Sequence, residues 1–169
     1  MPSQTILAIS LFFHFTATVV WIGGLVITSI LVWPEARKAL KDSPALYGLL
    51  TRLRKRFTPM SNLALAVLIV TGLTQMSLDE NYDGIMEIDN TWSQVMLLKH
   101  GVIALMILTG VLLQYGVVPA LERTSMLVER GKGDPADYTR LRRREIRLTW
   151  ASTLLGVGVL ALSAWAGSV

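Results

Sequence analysis

The chain predicts an all-α integral membrane protein, a four-transmembrane-helix bundle, and three observations carry that prediction. Hydrophobic residues make up 52% of the 169, and mean hydropathy is +0.49, more apolar than soluble domains with their interrupted apolar runs. Four stretches reach the roughly 20 residues needed to cross a hydrocarbon core. Fifteen of the 16 Lys and Arg residues fall in two connections, leaving the third wholly acidic. Helices that satisfy their own backbone are the natural way to cross lipid, so one membrane domain of four helices over 1–169 follows.

The first span covers about 5–33. Met1-Pro-Ser-Gln-Thr lacks a basic n-region and the apolar run is long enough to span, so a retained helix is expected rather than a cleaved leader. The connection 34–58 carries Arg37, Lys38, Lys41, Arg52, Arg54, Lys55 and Arg56, and is expected to be partly helical and surface-lying. The second span covers about 59–78. The connection 79–91 holds Asp79, Glu80, Asp83, Glu87 and Asp89 and no basic residue. A third span, about 92–119, leads into a basic connection, 120–147, broken at Gly131-Lys-Gly-Asp-Pro. There Asp134 can cap, and Pro135 can open, a helix running through Arg142, Arg143 and Arg144 into the fourth span, 148–169.

By the positive-inside rule both basic connections are cytoplasmic, and both termini face the periplasmic side of the inner membrane. Trp33 and Trp150 fall at cytoplasmic helix ends, Trp92 and Trp165 at outer ends, and Trp21 lies mid-span. The net charge of +4 reports this topology, with the lipid bilayer as partner and no nucleic acid. The absence of cysteine excludes disulfides, thiolate-held iron–sulfur clusters and covalent c-type haem. A cofactor would have to be held by His, Met, Lys, Tyr or carboxylate.

The only two histidines, His14 and His100, sit inside the first and third apolar stretches. Laid together, the halves correspond: Gly24 and Gly110 each follow the histidine by ten residues, Pro34 and Pro119 by twenty and nineteen, Arg37 and Arg123 by twenty-three. Arg56, Thr58 and Ser61 match Arg147, Thr149 and Ser152 where the next helices open. The expectation is two helix pairs related by a pseudo-two-fold axis along the membrane normal. At about 1.5 Å per residue, His14 lies about 14 Å and His100 about 11 Å below the outer helix ends. Two imidazoles at one level can share one ligand.

Stripes at helical spacing fit this arrangement. On helix one the stripe is His14, Ala17, Thr18, Trp21, Gly24, Leu25 and Thr28; on helix three, His100, Ile103, Ala104, Ile107, Val111 and Gln114. On helix two, Asn62, Leu65, Ala66, Ile69, Gly72 and Met76 bring a thioether near the same depth. Bundle packing alone also produces such stripes.

Several of these residues resemble a known pattern. His14-x6-Trp21-Ile-Gly23-Gly24-Leu25, Arg56-Phe57, Thr71-Gly72 and Leu98-Lys99-His100 look like the copper resistance D (CopD-like) membrane domain, over nearly the whole chain to about Glu122. The first element also resembles the HemJ-type protoporphyrinogen oxidase, and that resemblance implies haem b binding through the residues matching His14 and Lys99. Its Pro-Arg pair soon after Gly-Leu is missing here, where Pro34 comes only at the helix end.

Three functions follow as expectations. The first is a haem b membrane protein carrying out electron transfer or related redox chemistry near the outer face. Its axial ligands would be His14 and His100, with Trp21 and Lys99 beside the cofactor and Lys99 reaching outward to a propionate. Alternatively, Lys99 pairs with Asp89 or Glu87. The second is copper binding or transport at His14 and His100, with Met76 as a soft donor. Met86, Met96 and Met106 do not join it, so one shallow site favours binding over transport through the membrane. The third is a structural subunit packing in a larger membrane complex or a homo-oligomer. The acidic connection could concentrate cations or dock a basic electron carrier. No nucleophilic triad, Walker loop or pair of intramembrane carboxylates is present, so any catalysis would be redox chemistry at a bound cofactor.

Overall fold

The structure is a computed structural model that describes residues 2–40, 45–82, 84 and 88–168. Every regular element among them is helical, and four helices are long and apolar enough to cross a membrane. The chain is a multi-pass membrane protein that divides into two compact units, Met1–Ser93 and Gln94–Val169.

In the first unit, α1 (Pro2–Thr18), α2 (Gly24–Ile27) and α3 (Trp33–Ala39) run on as one rod through two π-helical turns, Val19–Gly23 and Thr28–Val32. The span Gln4–Ala39 has 36 residues, about 54 Å of helix against a hydrocarbon core of about 30 Å, so its basic end projects past the lipid. α4 (Ala45–Ser77) returns antiparallel, carrying Arg52, Arg54, Lys55 and Arg56 on its first turns. The expected loop 34–58 is therefore mostly helix. Between α3 and α4 the chain leaves helical geometry at Leu40; Lys41 lies outside the described residues.

Two π turns follow from chemistry written in the sequence. Proline has no N–H and its ring crowds the carbonyl four residues back. Pro34 opens α3 directly after one π turn, and Pro119 opens α6 directly after another. Widening the turn accommodates the ring without breaking the rod. Pro59 takes a different solution inside α4: both it and Lys55, one turn before, lie on the exposed side at the basic end.

The buried face of the first rod follows Ser10, the half-buried His14 and the buried Ala17, as its predicted stripe requires. It then steps to Ile22 and Ser29. A π turn adds a residue to the spacing, which is why the stripe shifts across Val19–Gly23. On α4 the face against α1 is set by Phe57, Thr71 and Gln75, with Ala64 buried. The predicted stripe is rotated away from this face, since Asn62, Ala66 and Ile69 are exposed and only Gly72 comes against His14. Small residues set that choice, because they let two backbones approach closely.

The acidic connection is held by an Asx turn, with Asn81 N–H donating to Asp79 Oδ1 at 3.0 Å. Asn90 Oδ1 accepts from Ser93 N at 2.7 Å, capping the helix that follows. Trp92, expected as an exposed interface anchor, is instead buried edge-on against Tyr82. Trp33 lies under the Arg37 guanidinium, 5.3 Å from the ring centroid. Asp83, Met86 and Glu87 lie outside the described residues.

In the second unit, α5 (Thr91–Val111) passes through a π turn, Leu112–Val117, into α6 (Val118–Glu129). α6 ends in a Schellman closure: Lys132 N donates to Leu127 O and Gly131 N to Val128 O, with Gly131 at φ +67. Asp134 then accepts from Ala136 N at 2.8 Å and Pro135 opens α7 (Pro135–Ala166), as the sequence predicts. The expected loop 120–147 shrinks to these few residues. The π turn buries Val117 and α6 buries Val118, Leu121 and Ser125, while α7 buries Glu145, Ser152, Thr153, Gly156 and Val159. Glu145 is paired with Arg142 one turn away. Trp150 and Trp165 stay exposed, as membrane anchors require.

Close approach of α7 runs along α6 and the π turn before it. The contact that closes the pair is a hydroxyl bond of 2.7 Å, Thr109 to Ser152. Because Thr109 donates to Met106 O, Ser152 is its donor. Under the repeat, Thr109 and Ser152 correspond to Gly23 and Ser61.

Candidate functional site

Hydroxyls in these spans mostly donate to a carbonyl on their own helix, as Thr16, Thr18, Ser29 and Thr74 do four residues back. In lipid this is the available partner. Thr71 does the same, donating to Val67 O at 2.6 Å. Its single proton is thereby used, so toward any other group Thr71 Oγ1 acts as an acceptor.

His14 Nδ1 lies 2.8 Å from that oxygen. The network therefore assigns the proton to Nδ1, which donates, and the lone pair of the neutral ring to Nε2. Gly72 leaves room for the ring: a Cβ there would stand 3.6 Å from His14 Cε1. One turn along, Ser10 Oγ donates to Thr71 O at 3.1 Å and accepts from Gln75 Nε2 at 3.3 Å. Ser10 and Thr71 are both buried. The result is a directed polar ladder across α1 and α4, with His14 as its aromatic rung.

His100 is arranged differently. It is exposed on α5, and its Nδ1 lies 2.7 Å from Met96 O, the carbonyl one turn back. A carbonyl only accepts, so Nδ1 again carries the proton and Nε2 the lone pair. Both histidines thus present the nitrogen that metals take from an oriented imidazole.

The other predicted site residues divide between the units. Trp21 is half-buried within the first π turn, and Met76 is half-buried on α4, next to Gln75 and five residues outward of Thr71. Lys99 is half-buried beside His100 on α5. Of its suggested acidic partners, Glu87 lies outside the described residues and Asp89 belongs to the first unit. Among the described residues no group of three or more His, Asp and Glu side chains could by itself hold a metal. A metal site here would draw on imidazole and thioether. Met106 is part of the buried core, and Met96 contributes its carbonyl to His100.

Ser10, Thr71 and Gln75 were not singled out as site residues, although their spacing marks them. Ser10 precedes His14, and Thr71 precedes Gln75, by four residues, so each pair stacks along one helix face inside an otherwise apolar span. A second closure tightens the same interface. A Cβ at Gly24 would run into the Phe57 ring, 2.8 Å from Cζ, with Cε2 nearer still. Gly24 and Phe57, from separate sequence elements of the resemblance, are one contact.

No curated protein and no solved structure matches the chain. A family model does: copper resistance protein D matches residues 51–166, more than half the sequence. The match takes in Phe57, Thr71, Gly72, Met76, Lys99 and His100 and runs through α7, further than the expected limit near Glu122. His14 and Trp21 precede it. The chain therefore belongs to the copper resistance protein D family.

Proposed function

We propose that this protein binds copper ions within the membrane, with His14 as a nitrogen ligand and Met76 as a thioether donor in the first unit, and His100 as a nitrogen ligand in the second. The observation that carries this reading is the shared tautomer: in each histidine Nδ1–H is held by an oxygen, which puts the lone pair of the neutral ring on Nε2. Imidazole and thioether suit copper, whereas hard oxygen donors would favour calcium or magnesium. Family membership supports the choice of metal. The acidic connection, with Asp79, Glu80 and Asp89 in the first unit, would raise cation concentration at the same end of α1 and α4. In this reading the protein lies in the inner membrane with its basic helix ends in the cytoplasm, and the ion arrives from outside. The donors in each unit are few, which favours binding over relay through the full depth.

The same tautomers would serve a haem iron, with Lys99 meeting a propionate, and this is the competing reading. Metal analysis and an oxidised-minus-reduced optical spectrum of detergent-purified protein, expressed in haem-replete cells and then loaded with Cu(I), separate the two. Bound copper without a Soret band, lost in His14→Ala, is the expected result. A Soret band with sharp reduced α and β bands, weakened in either histidine variant, would replace copper with haem b. Neither signal would leave a structural subunit.

A further inference from the structure

We infer that Thr71 is a positioning residue that fixes the tautomer and orientation of His14. The consequence for metal rests on the copper reading above; the geometry does not. Two protons decide the matter. The Thr71 hydroxyl proton lies on Val67 O, at 2.6 Å, so the 2.8 Å contact with His14 can be made only by an Nδ1–H. Ser10 braces the same residue from the other side through Thr71 O, and Gln75 braces Ser10. Gly72 lies against the ring, where a Cβ would stand in ordinary contact 3.6 Å from His14 Cε1. A neutral imidazole in water divides its proton between two nitrogens; here one arrangement is selected before any ion arrives. Ordering a ligand in advance removes that ordering cost from binding, and residues that hold a ligating imidazole typically change metal affinity by about 10–100-fold when removed.

Thr71→Val keeps the shape and deletes the acceptor, whereas Thr71→Ser keeps the acceptor. The full chain, labelled with 15N-histidine in detergent above the imidazole titration range, reports the tautomer of each ring directly; a His100→Gln sample assigns the two signals. Cu(I) affinity is measured on the same samples by chelator competition. The expected result is an Nδ1–H tautomer at His14 in the unaltered protein and loss of that preference in Thr71→Val. Copper affinity should fall about 10–100-fold with it, and Thr71→Ser should restore both. An Nε2–H signal in the unaltered protein would overturn the inference without any variant, as would an unchanged tautomer in Thr71→Val. A tautomer that responds as expected, in protein whose His14 takes no copper, would uphold Thr71 as the positioning residue and remove the copper reading alone.

Discussion

The two units begin from matching sequence and hold their histidines in different ways. In the first, α1 and α4 approach closely around Ser10, His14, Ala17, Ala64 and Thr71, and the histidine is bonded to a hydroxyl of the neighbouring helix. In the second, α7 follows α6 and the π turn around Leu121, Ser125, Ser152 and Thr153, and the histidine beyond is bonded to its own helix. Small and hydroxyl-bearing residues decide where two rods touch, since close approach of backbones gives the packing that lipid does not drive. One hairpin thus bonds its histidine to the neighbouring helix, and the other leaves it to its own.

Substitutions at matched positions sharpen this contrast. The largest effect on stability is expected at Gly24, where Ala would meet the Phe57 ring; overpacking of this kind costs about 1–3 kcal/mol. Thermal unfolding in detergent measures it, and Gly24→Ala with Phe57→Leu should recover part of the loss as a coupled pair. Next is Asp134→Ala, which removes the cap that accepts from Ala136 N, at about 1 kcal/mol. Ser152→Ala breaks the hydroxyl bond between Thr109 on α5 and Ser152 on α7, and intramembrane bonds of this type average about 0.6 kcal/mol. Gly110→Ala comes last. It matches Gly24 in the repeat, yet nothing lies within 4 Å of its would-be Cβ, so a change within about 0.5 kcal/mol is expected, as at a site away from packing. Equal losses at Gly24 and Gly110 would break the comparison.

Much of this frame can be read from residue order because hydrophobicity and charge act locally. The four spans, the basic and acidic connections, the Asp134–Pro135 helix start and the stripe through His14 and Ala17 all follow from short-range rules. The π turns are less visible, since Pro34 and Pro119 announce a disturbed helix without saying whether the rod bends, stops or widens. The face of α4 needs the partner helix: Asn62, Ala66 and Ile69 form as regular a stripe as Phe57, Ala64 and Thr71, and only the close approach to α1 selects between them. Trp92 could not be told from an interface anchor without Tyr82, ten residues earlier in the acid-rich segment, which packs edge-on against it. At the site, both histidines stand out by rarity alone. The groups that orient His14 are ordinary Ser, Thr and Gln residues on two helices, and their function appears only when the antiparallel register brings them together.

The central claim is that His14, oriented by α4, is a copper ligand, and that His100, held by its own helix, contributes less to affinity. The most direct test is Cu(I) affinity, by chelator competition, of the purified unaltered protein, His14→Ala and His100→Ala. A loss larger than the roughly 10–100-fold expected for removing the group that orients the ring is the predicted result for His14→Ala, with a smaller loss for His100→Ala. Copper affinity unchanged in His14→Ala would contradict the account.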